Sequence, residues 1–135
     1  MLQQVIAADA DFAEARYNLG AILMAQNKLD EAAAQFARVV EINPNYPDAH
    51  YALGALAERN GNRPAAMAHY EQEIKTNSES FKARTQLGLL LEREGRLAEA
   101  AAQFQRVLRI TPRDRAAQAN LERVREKLAS RASSP

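Results

Sequence analysis

The sequence has no cysteine, which excludes a disulfide framework, a thiolate zinc site and a cysteine nucleophile. Glycine and proline are scarce, with 5 of each in 135 residues, so long disordered stretches are not expected. No apolar run approaches the roughly 20 residues that a membrane-spanning helix requires. The opening residues, MLQQVIAADADF, lack the basic region and long apolar stretch of a signal peptide. These absences leave the compartment unknown, and we favour the cytoplasm.

Histidine is also rare, with only His50 and His69 in the chain. We expect them on different helices, with His69 at the surface, and without a thiol they predict no metal site. No glycine-rich phosphate loop, nucleophile elbow or kinase-like set of motifs is present. The carboxylates have basic neighbours on amphipathic patterns, as in Glu92-Arg93-Glu94, which is typical of a solvated helix face. We therefore expect no cofactor, no metal and no enzymatic activity.

The composition is that of an ordinary soluble, helical domain. Apolar residues make up 47% and charged residues 26%, alanine is abundant, and strand-favouring residues are sparse. Residues 1–80 carry 6 basic and 11 acidic residues, whereas residues 81–135 carry 12 basic and 6 acidic residues. This asymmetry either orients a charged partner or reflects two differently charged solvated faces, and we favour the second interpretation. No aromatic residue follows Phe104 for stacking on bases, so nucleic acid is not an expected partner.

An internal repeat of 34 residues runs through most of the chain. A Leu-Gly pair, an alanine, an aromatic residue, and a glycine or asparagine each recur three times with this spacing. These sets are Leu19-Gly20, Leu53-Gly54 and Leu87-Gly88; Ala32, Ala66 and Ala100; Phe36, Tyr70 and Phe104; and Asn27, Gly61 and Gly95. Pro44 and Pro112 lie two periods apart. Columns in one register are hard to obtain by chance.

This pattern resembles the tetratricopeptide repeat, a helix–turn–helix unit with a Leu-Gly, Ala, Phe and Pro signature. The full repeats cover 13–46, 47–80 and 81–114. The resemblance implies an all-α fold, a right-handed superhelical solenoid of helix–turn–helix units. We expect first helices at 13–26, 47–60 and 81–94, and second helices at 30–42, 64–76 and 98–110.

Some repeat positions have a physical reason of their own. Glycine inside a helix costs about 1 kcal/mol relative to alanine, so its recurrence beside each leucine predicts a close approach of the second helix. The glycine or asparagine column fits a left-handed turn between helices. The middle repeat departs most, with Glu73 in place of a small apolar residue and His50 where a large aromatic residue is common. Either this repeat packs loosely or it carries a local specialisation, and we favour loose packing.

The N-terminal residues continue the pattern backwards. Residues 2–8 match the end of a second helix, so we interpret residues 1–12 as the remnant of a preceding repeat. We therefore expect the chain to be a fragment of a larger repeat protein. Because a partner helix is missing there, we expect a self-associating edge at Leu2, Val5 and Ile6.

The C-terminal residues close the predicted domain. An apolar stripe runs through residues 115–130, which is typical of a capping helix, and residues 131–135 are expected to be a disordered tail. The stripe consists of Ala117, Leu121, Val124 and Leu128. The sequence therefore predicts a single domain over residues 1–130.

In proteins similar to this one, the first helices line a concave groove. Helix geometry places every third or fourth residue of these helices on the groove side, and nine of the residues on this face and on the capping helix are our candidates for binding a peptide. They are Tyr17, Asn18, Met24, Tyr51, Ala55, Glu58, Lys82, Gln86 and Asn120. Tyr17 and Tyr51 share a repeat position and offer apolar area with a polar group, which suits gripping a peptide.

Amide side chains recur at a neighbouring groove position. Asn18, Gln86 and Asn120 form a ladder that Ala52 interrupts. An amide donates and accepts together, so the ladder either holds a peptide backbone or is a set of solvated polar side chains. It is similar to the asparagine ladders of some long repeat superhelices.

Chaperone-binding members of the family hold a C-terminal carboxylate with a clamp of Lys, Asn and Arg. At the clamp positions this sequence has Tyr17, Ala21, Ala52 and Gln86, and only Lys82 matches. We expect no carboxylate clamp and no specific binding of chaperone tails.

Two functions remain open. The first is a module that binds a protein or peptide segment in the groove. The alternative is a structural spacer that forms a homo-oligomer through its N-terminal edge. Neither function requires nucleic acid or a membrane as a partner, and the sequence does not name the bound protein.

Overall fold

The computed structural model describes residues 12–133, which form seven α-helices joined by short turns. The all-α prediction is confirmed, and successive helices pack as pairs. Within residues 12–133, every helix is too short or too polar to cross a bilayer. The helices are α1 (Ala13–Ala25), α2 (Leu29–Ile42), α3 (Ala49–Arg59), α4 (Arg63–Thr76), α5 (Phe81–Arg93), α6 (Leu97–Ile110) and α7 (Arg115–Ala132).

The helix boundaries agree with the repeat pattern except at two places. Helix α3 begins at Ala49 rather than at residue 47, because Asp48 has a left-handed backbone with φ of 68°. Helix α7 continues to Ala132, so the first two residues of the predicted tail at 131–135 are helical. The guanidinium of Arg131 donates a hydrogen bond to the carbonyl of Gly95 at 2.8 Å, which ties this end of the helix down.

The chain forms two compact units, Met1–Asn77 and Ser78–Pro135, here called the first and second units. In the first unit, α1 packs on α2, α3 packs on α4, and α2 contacts α3. In the second unit, α5 packs on α6, and α7 covers α6. Each unit has its own buried apolar residues, and those shared by α1, α2 and α3 are Ala15, Leu19, Leu23, Ala32, Phe36, Ala52, Leu53 and Leu56.

The recurring glycines lie directly against the recurring aromatic rings. A Cβ added at any of them would lie 2.5–2.8 Å from a ring carbon, closer than two carbon atoms can approach. The contacts join Gly20 to Phe36, Gly54 to Tyr70 and Gly88 to Phe104. The predicted close approach of the second helix is therefore confirmed, and the aromatic ring is the group that needs the space.

The turn column has the expected left-handed backbone. Asn27, Gly61 and Gly95 have φ values of 62°, 74° and 76°. Each turn ends the first helix of a repeat and allows the second helix to fold back on it.

Glu73 shows that the middle repeat is specialised rather than loosely packed. Its side chain is 1% exposed, and its carboxylate accepts hydrogen bonds from the backbone N–H groups of Asp48 at 3.0 Å and Tyr51 at 3.2 Å. These N–H groups belong to the start of α3, which has no side-chain cap of its own. Glu73 on α4 therefore caps α3 across the helix pair, a favourable place for a negative charge. The expectation of loose packing was wrong, since Tyr70 beside it is also fully buried.

In the second unit, a charge cluster joins α5 to α7. Glu92 of α5 accepts hydrogen bonds from Arg123 at 2.6 and 2.8 Å and from Lys127 at 2.6 Å, both on α7. The apolar stripe beneath the cluster is buried at Ala117 and Val124, as a capping helix requires. The hydrogen bond from Arg123 lowers the pKa of Glu92 from 4.5 to about 2, and Lys127 acts in the same direction.

We expect Glu92→Gln to lower the free energy of unfolding at neutral pH by about 1 kcal/mol, because the half-exposed Arg123 and Lys127 are screened by water. The stabilisation by Glu92 is complete above its ordinary pKa of 4.5 and is lost as the pH falls towards about 2. The Tm values of the wild-type chain and of Glu92→Gln should therefore differ at neutral pH and become equal in acid. Glu122 is exposed on α7, so Glu122→Gln is the matched control. It should have the Tm of the wild-type chain both at neutral pH and in acid. An equal difference at both pH values would contradict the assignment.

Candidate functional site

A cavity of about 330 Å³ opens on the first unit between α1 and α3, the first helices of two successive repeats. Most of its lining is apolar or aromatic, and one side chain is cationic. The lining residues are Tyr17, Ala21, Met24, Ala25, Phe36, Tyr51, Ala52, Ala55 and Arg59.

The two tyrosines of the cavity are held by aromatic neighbours. The ring of Tyr17 meets Phe36 edge-on at 5.4 Å between centroids and lies 5.2 Å from Tyr46. The ring of Tyr51 lies 5.7 Å from Tyr70. Burial raises the pKa of both Tyr17 and Tyr51, so both present neutral phenols at neutral pH. They form rigid apolar walls with a polar group, which suits an entering side chain.

Small residues create the open space between these walls. Ala21 on α1 and Ala52 and Ala55 on α3 leave room where a larger side chain would fill the cavity. Ala52 is the residue that interrupts the predicted amide ladder. Its small, buried side chain gives the cavity depth instead of adding a polar group.

Arg59 supplies the one charge in the lining. It is exposed at the end of α3, and no carboxylate within residues 12–133 forms an ion pair with it. A guanidinium beside an apolar cavity is suited to binding a carboxylate. The nine predicted residues do not include Arg59, although it lies four residues after Ala55 and therefore shares its helix face.

The structure brings together four of the predicted groove residues: Tyr17, Met24, Tyr51 and Ala55. Asn18 is exposed on α1 and does not line the cavity. Glu58 is also outside the lining, and its carboxylate accepts a hydrogen bond from the buried hydroxyl of Tyr70. Burial, followed by this hydrogen bond, raises the pKa of Tyr70 well above its usual value. Glu58 thus stabilises the helix pair, and its role towards a ligand remains a prediction.

The other predicted residues lie elsewhere. Lys82 and Gln86 on α5 and Asn120 on α7 belong to the second unit, where Lys82 is exposed and the two amides are half-buried. The two cavities described in that unit have other linings. The predicted self-association edge at Leu2, Val5 and Ile6 lies outside the described residues and stays a prediction.

The two histidines lie on different helices, as predicted, but they are in contact. His50 on α3 and His69 on α4 stack with 5.4 Å between ring centroids, and His69 is half-buried rather than on the surface. Within residues 12–133, no group of three or more His, Asp or Glu side chains is placed to hold a metal ion.

Comparison with known families decides what this helical architecture is. A family model described as TPR repeat matches residues 20–61, and one described as Tetratricopeptide repeat matches residues 51–115. Together they span well over half of the chain. The chain belongs to the tetratricopeptide repeat family. Repeats of this family are protein–protein interaction modules.

Solved tetratricopeptide structures share the fold over most of the chain. The crystal structure of MamA has a TM-score of 0.85 at 21% identity, over 95% of this chain and 75% of MamA. The first TPR of Spaghetti (RPAP3), bound to the HSP90 peptide SRMEEVD, has a TM-score of 0.80 at 22% identity, over 90% and 96% of the two chains. YrrB, a TPR protein with an unusual peptide-binding site, has a TM-score of 0.79 at 24% identity, over 96% and 67%. Among curated protein sequences, no significant match is found.

Proposed function

We propose that this tetratricopeptide domain binds a peptide segment of another protein, and that one apolar side chain of the segment enters the cavity between α1 and α3. The observation that carries the proposal is the cavity itself, which is bounded by Tyr17 and Tyr51 and kept open by alanines. Tyrosines held by neighbouring rings lose little conformational entropy when they contact a ligand. A preformed apolar cavity with few polar groups is the usual form of a binding site.

Arg59 extends the proposal to the charge of the ligand. Because no described carboxylate neutralises this guanidinium, an Asp, a Glu or a C-terminal carboxylate next to the apolar side chain gains a charge-assisted hydrogen bond. The proposed ligand is thus an apolar residue next to an acidic group.

Two relatives of similar fold support peptide binding as the mode. RPAP3 was solved with a chaperone peptide, and YrrB has an unusual peptide-binding site. The present chain keeps only Lys82 of the chaperone clamp. The clamp that holds a chaperone tail is therefore missing, and we propose that the ligand binds through the cavity and Arg59 instead.

Filling the cavity should weaken peptide binding without removing a packed side chain. Ala55→Leu places a larger side chain at a half-exposed position of the lining. Peptides selected from a phage-displayed random library and labelled with fluorescein should bind the wild-type chain, with apolar residues next to Asp or Glu enriched. Fluorescence anisotropy should then show that the selected peptides bind Ala55→Leu at least about tenfold more weakly than the wild-type chain, a loss of about 1.4 kcal/mol or more.

Ala34→Leu is the matched control, since Ala34 is exposed on α2 and does not line the cavity. It should bind the selected peptides as the wild-type chain does. Arg59→Ala should weaken the binding of acidic peptides and leave the binding of their amide analogues unchanged. The proposal fails if no peptide is enriched, or if Ala55→Leu and Ala34→Leu bind equally well.

A further inference from the structure

Each repeat has a side-chain pair that joins its first helix to its second, at positions 19 residues apart. In the outer repeats this pair is an arginine that donates to a glutamine, with distances of 3.2 and 3.0 Å. In the middle repeat both members are histidines. The three pairs are Arg16 with Gln35, His50 with His69, and Arg84 with Gln103. In the outer repeats an arginine–glutamine pair is sufficient to join the two helices. In the middle repeat both residues are replaced by histidine, which points to a role of the histidines beyond helix packing.

The geometry of the histidine pair suits chelation. The two Nδ1 atoms lie 3.2 Å apart, with the rings inclined by 30°. Two nitrogens at this distance, each about 2.05 Å from one ion, subtend about 100° at that ion, close to the tetrahedral angle preferred by Zn²⁺. In the metal-free protein the same two atoms share a hydrogen bond, in which one ring donates its N–H and the other accepts.

The surroundings keep both rings uncharged and available. Burial lowers the pKa of His50 and of His69, so both are neutral near neutral pH, as metal ligands must be. The negative charge of Glu73 acts on His50 and favours a nearby cation. The carboxylate of Glu73 is held by the backbone at the start of α3, so it contributes charge rather than a ligand atom. At the same repeat position the outer repeats have buried Val39 and Val107.

We propose that His50 and His69 bind one divalent transition-metal ion, such as Zn²⁺, through their Nδ1 atoms. Water fills the remaining coordination positions, which the half-exposed setting of the pair allows. On binding, the proton shared by the Nδ1 atoms moves to Nε2 of its own ring, so both imidazoles coordinate in the neutral form. The ion replaces the hydrogen bond as the link between α3 and α4. Imidazole ligands also suit Cu²⁺ and Ni²⁺, so selectivity among these ions is weak.

The test compares the wild-type chain with a variant that carries the pair of the outer repeats, His50→Arg with His69→Gln. Tag-free protein freed of metal by chelation is titrated with Zn²⁺, and separately with Ni²⁺, by isothermal titration calorimetry near neutral pH. We expect one Zn²⁺ ion to bind per wild-type chain. The double variant should bind Zn²⁺ with an affinity at least about tenfold weaker. Saturating Zn²⁺ should raise the Tm of the wild-type chain and leave that of the double variant unchanged.

The Arg–Gln pair joins helices in the outer repeats, so the double variant should have the same circular dichroism and metal-free Tm as the wild-type chain. If it unfolds, the single variant His69→Gln takes its place, since that variant keeps one ring but no chelate. Wild-type binding should weaken as the pH falls through the lowered pKa values of the two histidines, because protons then compete with the ion for the imidazoles. Equal Zn²⁺ affinity of the wild-type chain and a folded variant, or no binding by the wild-type chain, overturns the proposal.

Discussion

Replacing Phe104 with alanine should lower the free energy of unfolding by about 3–5 kcal/mol, the usual cost of removing a fully buried aromatic ring. The ring is 0% exposed and lies between α5 and α6, directly against Gly88. Because the second unit spans only residues 78–135, this loss should unfold it at ambient temperature or lower its Tm by tens of degrees. Urea unfolding followed by circular dichroism measures the effect.

Phe81 provides the matched control for this substitution. It lies on the same helix pair, but its side chain is 39% exposed at the start of α5. Phe81→Ala should cost less than about 1 kcal/mol, as expected for a surface position. Similar losses for the two variants would contradict the role of Phe104 as the ring on which the repeat packs.

Replacing Glu73 with alanine should destabilise the first unit by about 2–4 kcal/mol, because the substitution leaves two backbone N–H groups at the start of α3 without an acceptor. The cost is large because Glu73 is buried, so water does not readily take its place. Chemical denaturation should show the loss, and hydrogen exchange should show faster exchange at Asp48 and Tyr51.

Graded variants separate the cap from the volume of the side chain. Glu73→Gln keeps the shape and one acceptor oxygen, so it should lose less stability than alanine. Glu73→Val inserts the residue of the outer repeats, and it should remain destabilising because valine accepts no hydrogen bond. Glu71→Ala, at an exposed position on the same helix, should lie within about 0.5 kcal/mol of the wild-type chain. If Glu73→Val is as stable as the wild-type chain, the capping role is wrong.

Much of the candidate site followed from the family resemblance, which places the groove along the first helices, together with helix periodicity. Tyr17, Met24, Tyr51 and Ala55 were selected because residues three or four apart share a helix face, and the structure places them around one cavity. Glu58 met the same rule but accepts a hydrogen bond from Tyr70. Periodicity gives the face on which a residue lies, and it does not give the partner that the side chain finds there.

Arg59 and Glu73 also show that periodicity does not give the partner of a side chain. Arg59 lies on the predicted helix face, and its suitability for binding a ligand carboxylate depends on its having no ion-pair partner among residues 12–133. Glu73 interrupts the apolar pattern, which by itself predicts loose packing of the middle repeat. Its function became visible only when its carboxylate was placed beside N–H groups 22 and 25 residues earlier in the chain.

Composition and the 34-residue spacing correctly predict the all-α class, the repeat, the turns with left-handed backbone and the contact between each recurring glycine and a second helix. These features are local or repeat every 34 residues, so residue type and spacing are sufficient to specify them. Three features become visible only in the packed helices: Glu73 caps α3, the two histidines share a hydrogen bond, and alanines beside two tyrosines leave an open cavity. Such features depend on distances between side chains on different helices, which become defined only when the helices pack.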